Sequence, residues 1–262
     1  MAAIGALDGP RRPAMMKRRE LQPRFLPIVA GLFVFFLFAA VFAEAGAGTS
    51  RVTHLEGEAT WEAPGREPVP LKVGTPLLAG ATVATAANAR IEITLPDDSQ
   101  IRLGPSSRLT LEQVSFGSDR KSFSAELSGG RLWARIRSLL TGDKVEVKGP
   151  TAVAGVRGTT FQVDAGKDFS TVIKVHHGQV AVRPIYQTHA KGEGPRREVS
   201  GPQEVQGPKE VTAQEWARIV ASGQMLLVDS ESRAGDPTAL DLKAEADDPW
   251  TAWNQSRDQA NP

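Results

Sequence analysis

The sequence contains no cysteine among its 262 residues. This absence excludes disulfide bonds, thiolate metal sites, iron–sulfur clusters and cysteine nucleophiles. An excess of one charge sign is also lacking, because 31 lysines and arginines balance 30 aspartates and glutamates. The resulting net charge of +1 gives the whole chain no electrostatic drive toward nucleic acid, so we expect no nucleic-acid partner.

Aromatic residues are scarce, at 6% of the chain, and six of the ten phenylalanines fall between Phe25 and Phe42. Residues 25–43 read FLPIVAGLFVFFLFAAVFA and carry no charge. As a helix this segment would span about 28 Å, close to the hydrocarbon thickness of a bilayer. It is preceded by six basic and two acidic residues in the basic segment 1–24. This asymmetry predicts a cytoplasmic N-terminus and export of the remainder of the chain.

The apolar segment 25–43 fits either a retained transmembrane anchor or a cleaved signal helix. Its length exceeds a usual signal-peptide core, which favours an anchor. Small residues at Ala43, Ala45 and Ala47 nevertheless offer cleavage sites. Translation from Met1, Met15 or Met16 fits both interpretations.

Residues 50–187 show strand patterns throughout. Ile91, Ile93 and Leu95 alternate with other residues, residues 96–99 read as a turn, and Ile101 and Leu103 alternate again. Similar short runs follow at roughly ten-residue spacing without intervening helices, which predicts an all-β domain of many short strands. Residues 131–140 fit a strand or a short helix, and the preceding Gly-Gly favours the strand.

The C-terminal third of the chain divides into three segments that differ in composition. Residues 188–209 are rich in glycine, proline and charge, which indicates a linker or loop. Residues 210–228 recover apolar content and predict an additional β segment. Residues 229–262 form an acidic tail, in which Asp247 or Asp248 can cap a short helix and Pro249 suits its first turn. Trp250, Trp253 and Arg257 then fall on one helix face.

The stretch 144–164, KVEVKGPTAVAGVRGTTFQVD, resembles the signature of FecR-type periplasmic domains. The preceding LSGGRLW at residues 127–133 stands where that family has it, and the resemblance covers about residues 52–182. It implies a β-solenoid or roll-like FecR domain, whereas the alternation alone equally permits a β-sandwich. The tail residues Trp250, Trp253, Asn254, Arg257 and Asp258 resemble the tail of stand-alone family members.

The resemblance departs from the iron-siderophore regulators that give the family its name. Those proteins carry a cytoplasmic anti-sigma domain, and residues 1–24 are too few to bury a core of that kind. We therefore expect a stand-alone type that acts as a non-enzymatic binding or signalling module and docks a protein partner in the periplasm. The alternative is a structural envelope protein that binds peptidoglycan or polysaccharide. The expected location is the inner membrane with a periplasmic C-terminal domain, or secretion if the signal is cleaved.

Six residues of the signature are candidates for a mainly structural role. Arg157 is the exception that carries two interpretations. Its guanidinium either binds turn carbonyls or a carboxylate such as Asp98, or it presents an anion-binding fork to a partner. The six residues are Gly155, Val156, Arg157, Gly158, Thr159 and Phe161.

Trp250 and Trp253 either fold back on the domain or provide a partner surface. The sequence shows no metal-ligand motif, phosphate loop or nucleophile elbow, and we expect no catalytic residue, metal or cofactor. Asp97 and Asp98 are expected to accept hydrogen bonds from local backbone amides of their turn.

Overall fold

The computed structural model describes residues 49–117, 120–137, 139–185 and 217–260. The basic segment 1–24, the apolar segment 25–43 and the linker 188–209 lie outside these ranges. All described residues belong to one compact unit, residues 45–262. Within them, no helix has the length and apolar character needed to cross a membrane.

The described part of the chain forms seventeen strands and two short helices. In chain order these are β1 Ser50–Glu56, β2 Ala59–Glu62, β3 Val69–Pro70, β4 Pro76–Leu77, β5 Thr82–Thr85, β6 Arg90–Thr94, β7 Gln100–Leu103, β8 Arg108–Phe116, β9 Lys121–Arg135, β10 Lys144–Lys148, β11 Ala152–Val156, β12 Thr160–Ala165, β13 Thr171–His177, β14 Gln179–Pro184, β15 Arg218–Ala221, β16 Gln224–Val228, β17 Thr238–Ala239, α1 Leu242–Asp247 and α2 Pro249–Ala260.

The strands join into an open mixed sheet with two halves that share the long strand β9. The first part of β9 pairs with β8 and, in parallel, with β10, whereas its last part pairs with β7 and β12. We call the order β4–β1–β6–β7–β9–β12–β13–β16–β17 the helix-bearing half. The order β3–β2–β5–β8–β9–β10–β11–β14–β15 is the opposite half.

One hydrophobic core lies between the two halves. Ile93 and Ile101 contribute from the helix-bearing half and Leu109 and Val147 from the opposite half, and all four are fully buried. The all-β prediction is therefore confirmed, and the C-terminal helices follow it as expected. Hairpins β6–β7 and β12–β13 lie in the helix-bearing half, and hairpins β8–β9 and β10–β11 and the antiparallel pair β14–β15 lie in the opposite half, so the chain passes repeatedly between the halves.

Two local expectations are met by the backbone. The alternating residues 91–95 and 101–103 form the β6–β7 hairpin, whose turn holds Asp98 at φ 62°. In the segment 131–140, β9 continues to Arg135 and no helix follows among its described residues. Entry into this part of β9 requires Gly130, because its φ of 88° is left-handed and a Cβ there would lie 2.5 Å from the Cα of Ser107.

The C-terminal elements extend the sheet and then cross it. β15 and β16 lie in the expected β segment 210–228. β15 is the edge strand of the opposite half, and β16 lies between β13 and β17 in the helix-bearing half. Helix α2 begins at Pro249, and the Asp248 carboxylate accepts hydrogen bonds from the backbone amides of Trp250 and Thr251, both at 3.4 Å. This cap and the short connection to α1 fix the direction in which α2 runs over the sheet.

Candidate functional site

A row of polar side chains crosses the outer face of the helix-bearing half. The strand register places Glu92 opposite Arg102, Arg102 opposite Trp133, Trp133 opposite Gln162, and Gln162 opposite Lys174. Side chains alternate between the faces of a strand, so these residues point away from the core that their neighbours fill. We call these five residues the polar row. Arg102 and Gln162 are nevertheless 0% exposed, so another element must cover them.

Helix α2 is that cover. Arg102 donates from Nη1 to the Asp258 carboxylate at 2.7 Å and to the carbonyl oxygen of Asn254 at 3.2 Å. Its Nε donates to the Glu92 carboxylate at 2.7 Å, and its Nη2 donates to Oε1 of Gln100 at 2.6 Å. The guanidinium is therefore satisfied on every side, as a fully buried charge requires.

Glu92 is the anionic centre of the same network. Besides Arg102 it accepts hydrogen bonds from Arg257 at 3.0 and 3.2 Å and from the Thr53 hydroxyl at 3.0 Å. Burial alone would raise the pKa of Glu92, but the hydrogen bonds from Arg257 and Arg102 outweigh it and lower the pKa to about 2. The carboxylate is therefore charged at every physiological pH.

Trp133 and His176 continue the contact with α2. The indole nitrogen of Trp133 donates to the Asp258 carboxylate at 3.1 Å, and its ring stacks on the His176 imidazole with centroids 4.3 Å apart. Burial lowers the pKa of His176, although the nearby Glu245 acts in the opposite direction. Burial in the folded protein thus favours the neutral imidazole of His176.

Two ion pairs fasten the start of the helical segment. Arg131 binds both oxygens of Asp248, at 3.1 and 2.6 Å, and also contacts Asp164 at 3.3 Å. Lys174 binds Glu245 of α1 at 2.7 Å. Buried ion pairs of this kind add little net stability compared with apolar packing but penalise any arrangement that leaves a charge unpaired. They therefore determine where the helices dock.

The two C-terminal tryptophans lie within this docked arrangement. Trp250 is 4% exposed and stacks on Trp253 with centroids 5.5 Å apart, so its assignment to a partner surface is wrong. Trp253 is half-buried, donates to Glu56 at 3.3 Å and lies beneath the guanidinium of Arg90 at 5.0 Å. Both rings fold back because the helix that carries them is fixed by the polar row.

Most of the signature residues lie in β11 of the opposite half or in the connection that follows it, whereas Phe161 lies in β12 of the helix-bearing half. Gly155 and Val156 end β11, Gly158 has a left-handed φ of 69°, and Thr159 and Phe161 are buried. The side of β11 that carries Gly155 borders a shallow recess of about 490 Å³, which Ile219 of β15 also lines. The structure therefore places Gly155 away from the covered polar row, whereas Phe161 directly precedes Gln162 of that row in β12.

Arg157 is exposed at the rim of this recess. Its Nη2 donates to the Thr141 hydroxyl at 3.2 Å, a contact between two exposed side chains. The expected ion pair with Asp98 is wrong, because Asp98 lies in the β6–β7 turn and pairs weakly with Arg137 at 3.5 Å. One exposed hydrogen bond leaves most of the Arg157 guanidinium accessible.

The remaining sequence candidates have local roles. Asp97 accepts a hydrogen bond from the backbone amide of Ser99 at 3.1 Å, as expected for a turn aspartate. No group of three or more potential metal ligands occurs within the described ranges.

Sequence reasoning assigned no role to Glu92 and Arg102, which form the centre of the network together with Asp258 of the family-like tail. Glu92 and Arg102 each stand between two apolar residues, a pattern typical of a solvated strand face. The available signal was the hairpin register, which places these opposite charges directly across from each other.

Comparison with known proteins identifies the middle of the chain. Residues 81–181 match the family model described as FecR protein, which confirms the resemblance seen in the sequence. No curated protein matches the sequence.

Two solved structures are similar in part. Both are crystal structures of candidate anti-sigma factors from Parabacteroides distasonis ATCC 8503. The first has 17% identity and a TM-score of 0.44 over 66% of this chain and 64% of that chain. The second has 16% identity and a TM-score of 0.41 over 63% of each chain. The chain thus spans slightly less than two thirds of either protein.

Proposed function

We propose that this chain, whose residues 81–181 form a FecR domain, is a non-enzymatic binding and signalling module exposed in the bacterial cell envelope. The FecR match is the observation that carries the proposal. The uncharged segment 25–43 and the basic residues before it support an inner-membrane anchor with the β domain in the periplasm. Cleavage after this segment would instead release the same module.

The docking surface for a protein partner is the outer face of the opposite half around Arg157. Arg157 projects beside the recess of about 490 Å³, and Ile219 at the other side is 55% exposed. An accessible guanidinium next to exposed apolar surface is the combination that protein interfaces favour. The partner proposed for this face is an envelope protein.

Site-specific photo-crosslinking in the full chain tests this proposal. A crosslinker at position 219 should capture one envelope protein, and a crosslinker at exposed Leu242, beside the helices, should not. Arg157→Ala should abolish the capture and leave the melting temperature within about 1 °C, because it removes one exposed hydrogen bond. Arg108→Ala, which removes another exposed arginine of the same half, serves as the matched control and should leave capture unchanged.

Capture of the same protein from both positions would contradict the proposed docking face. A fall in melting temperature of several degrees in Arg157→Ala would instead assign Arg157 a structural role.

A second candidate function is a structural envelope protein that binds peptidoglycan or polysaccharide. A cavity of about 520 Å³ beside the end of α2, lined almost entirely by polar side chains, favours it. Sedimentation of the full chain with purified sacculi tests this function independently of any protein partner.

A further inference from the structure

The cavity beside the C-terminal end of α2 lies on the helix-bearing half, beyond the polar row. We call it the polar cavity. Ala260 of the helix forms one wall, and the β6–β7 turn and the end of β9 form the others. Its volume of about 520 Å³ is in the range of small-molecule sites, which are usually apolar. The lining here is polar: besides Glu92 at the end of the polar row it includes Thr53, Thr94, Asp98, Gln100, Arg135 and Arg137.

Hydroxyl groups on one side of the cavity are arranged to accept hydrogen bonds. The Thr53 hydroxyl lies 3.0 Å from Oε1 of Glu92 and 3.0 Å from the Thr94 hydroxyl. Because the Glu92 carboxylate is charged and can only accept, Thr53 donates to it and Thr94 donates to Thr53. The Thr94 hydroxyl oxygen can then only accept a further hydrogen bond. A ligand that binds on this side must therefore donate one.

Cationic groups line the other side. Arg135, the last residue of β9, and Arg137, two residues beyond it, both line the cavity. Arg137 pairs with Asp98 only at 3.5 Å, between side chains that are 59% and 72% exposed, and such a contact is readily exchanged. A guanidinium of this kind binds a carboxylate through two parallel hydrogen bonds.

Gln100 adds a fixed donor between the two sides. Its Oε1 accepts from Arg102 at 2.6 Å, which sets the orientation of the amide. The amide N–H₂ group is then the part of Gln100 left to contact a ligand. Arg137, Gln100 and Thr94 together fit a small ligand that carries a carboxylate at one end and hydroxyl donors at the other. The two carboxylates of the lining, Glu92 and Asp98, are each paired with arginine.

We propose that the polar cavity binds a sugar acid, a hydroxylated carboxylate such as a uronic acid or an acidic sugar of a wall glycan. The proposal rests on the second candidate function and names its ligand class. Arg137 binds the carboxylate, Gln100 donates to a ring or hydroxyl oxygen, and Thr94 accepts from a sugar hydroxyl. Arg102 of the polar row holds Gln100 in place.

Titration of the full chain by ligand-observed NMR tests the proposal with three probes: D-glucuronate, D-glucose and acetate. Glucuronate should bind saturably and at least about 10-fold more tightly than either other probe, since each lacks one half of the contacts. Arg137→Gln should weaken glucuronate binding about 10-fold, because it replaces a charged donor pair with a neutral amide. Thr94→Val should weaken glucuronate binding without changing the response to acetate.

Arg108→Gln, an exposed arginine paired with Glu62 on the opposite half, is the matched control and should bind glucuronate like the wild type. Equal binding of acetate and glucuronate, or no saturable glucuronate binding, would overturn the proposal. Sedimentation with sacculi without glucuronate binding would uphold the second candidate function and reject this cavity. Glucuronate binding without sedimentation would do the opposite.

Discussion

Replacement of Arg102 by methionine tests the central role assigned to the buried charge network. Arg102 is 0% exposed and contacts Glu92, Asp258, Gln100 and the Asn254 carbonyl group. Methionine fills a similar volume with an unbranched apolar chain but supplies no donor. The variant therefore removes the charge and leaves the buried carboxylate of Glu92 with less compensation.

The expected loss in free energy of unfolding is about 3 kcal/mol. Removal of one partner from a buried ion pair costs about 3–5 kcal/mol. The lower end applies because Arg257 still donates two hydrogen bonds to Glu92 and Trp133 still donates to Asp258. A domain of ordinary stability would remain folded after this loss.

Urea unfolding followed by tryptophan fluorescence measures the effect as a shift of the midpoint at unchanged slope. Arg108→Met is the control, because its exposed pair with Glu62 contributes at most about 1 kcal/mol. Adding Glu92→Gln to Arg102→Met should recover at least about 1 kcal/mol, since the buried negative charge is then gone. Equal losses for Arg102→Met and Arg108→Met would refute the reasoning.

Three other variants or conditions test separate features. The folded pKa of Glu92, about 2, lies below its ordinary value of 4.5. The stability that charged Glu92 contributes to the fold is therefore complete above about pH 4.5 and is lost as the pH falls toward 2. The urea midpoint should decline over that range, and it should decline less in Glu92→Gln. Gly130→Ala should lower the free energy of unfolding by about 2–4 kcal/mol, because φ is 88° and the new Cβ would meet Ser107. Gly129→Ala is the control for thermal unfolding, because its Cβ would meet nothing within 4 Å. Similar melting temperatures of the two variants would contradict this. Phe169→Gly should raise stability by about 0.5–1 kcal/mol, because the ring is 68% exposed and φ is 65°; a destabilised variant would show that the ring packs.

The sequence pattern predicted local structure well and remote contacts poorly. The alternation of Ile91, Ile93, Ile101 and Leu103 was sufficient to place β6, β7 and the core, because a strand exposes every second residue to the same side. The same alternation gave the direction of Glu92 and Arg102 but not their burial. Their cover is the Asn254 region of α2, 152 positions after Arg102, and no local pattern encodes that contact.

The C-terminal helix shows the same division. Spacing placed Trp250 and Trp253 on one face, and the structure shows them stacked there. Which surface that face contacts depends on the charges of the polar row, so the sequence left docking and partner binding as alternatives. The predicted Arg157–Asp98 ion pair was wrong for a related reason. The two residues are far apart in the chain, and the local sequence around each does not tell whether they lie close in space.

The sharing of β9 by both halves has a consequence for how the molecule unfolds. Separation of the halves would require β9 to leave either β7 and β12 or β8 and β10, because this one strand pairs with both sets. We therefore expect a single cooperative transition rather than stepwise loss of two subdomains. Folding should also be slow, because β9 pairs with strands that precede it in sequence and with strands that follow it. Such pairing raises the mean sequence separation of contacting residues, and a larger separation slows folding.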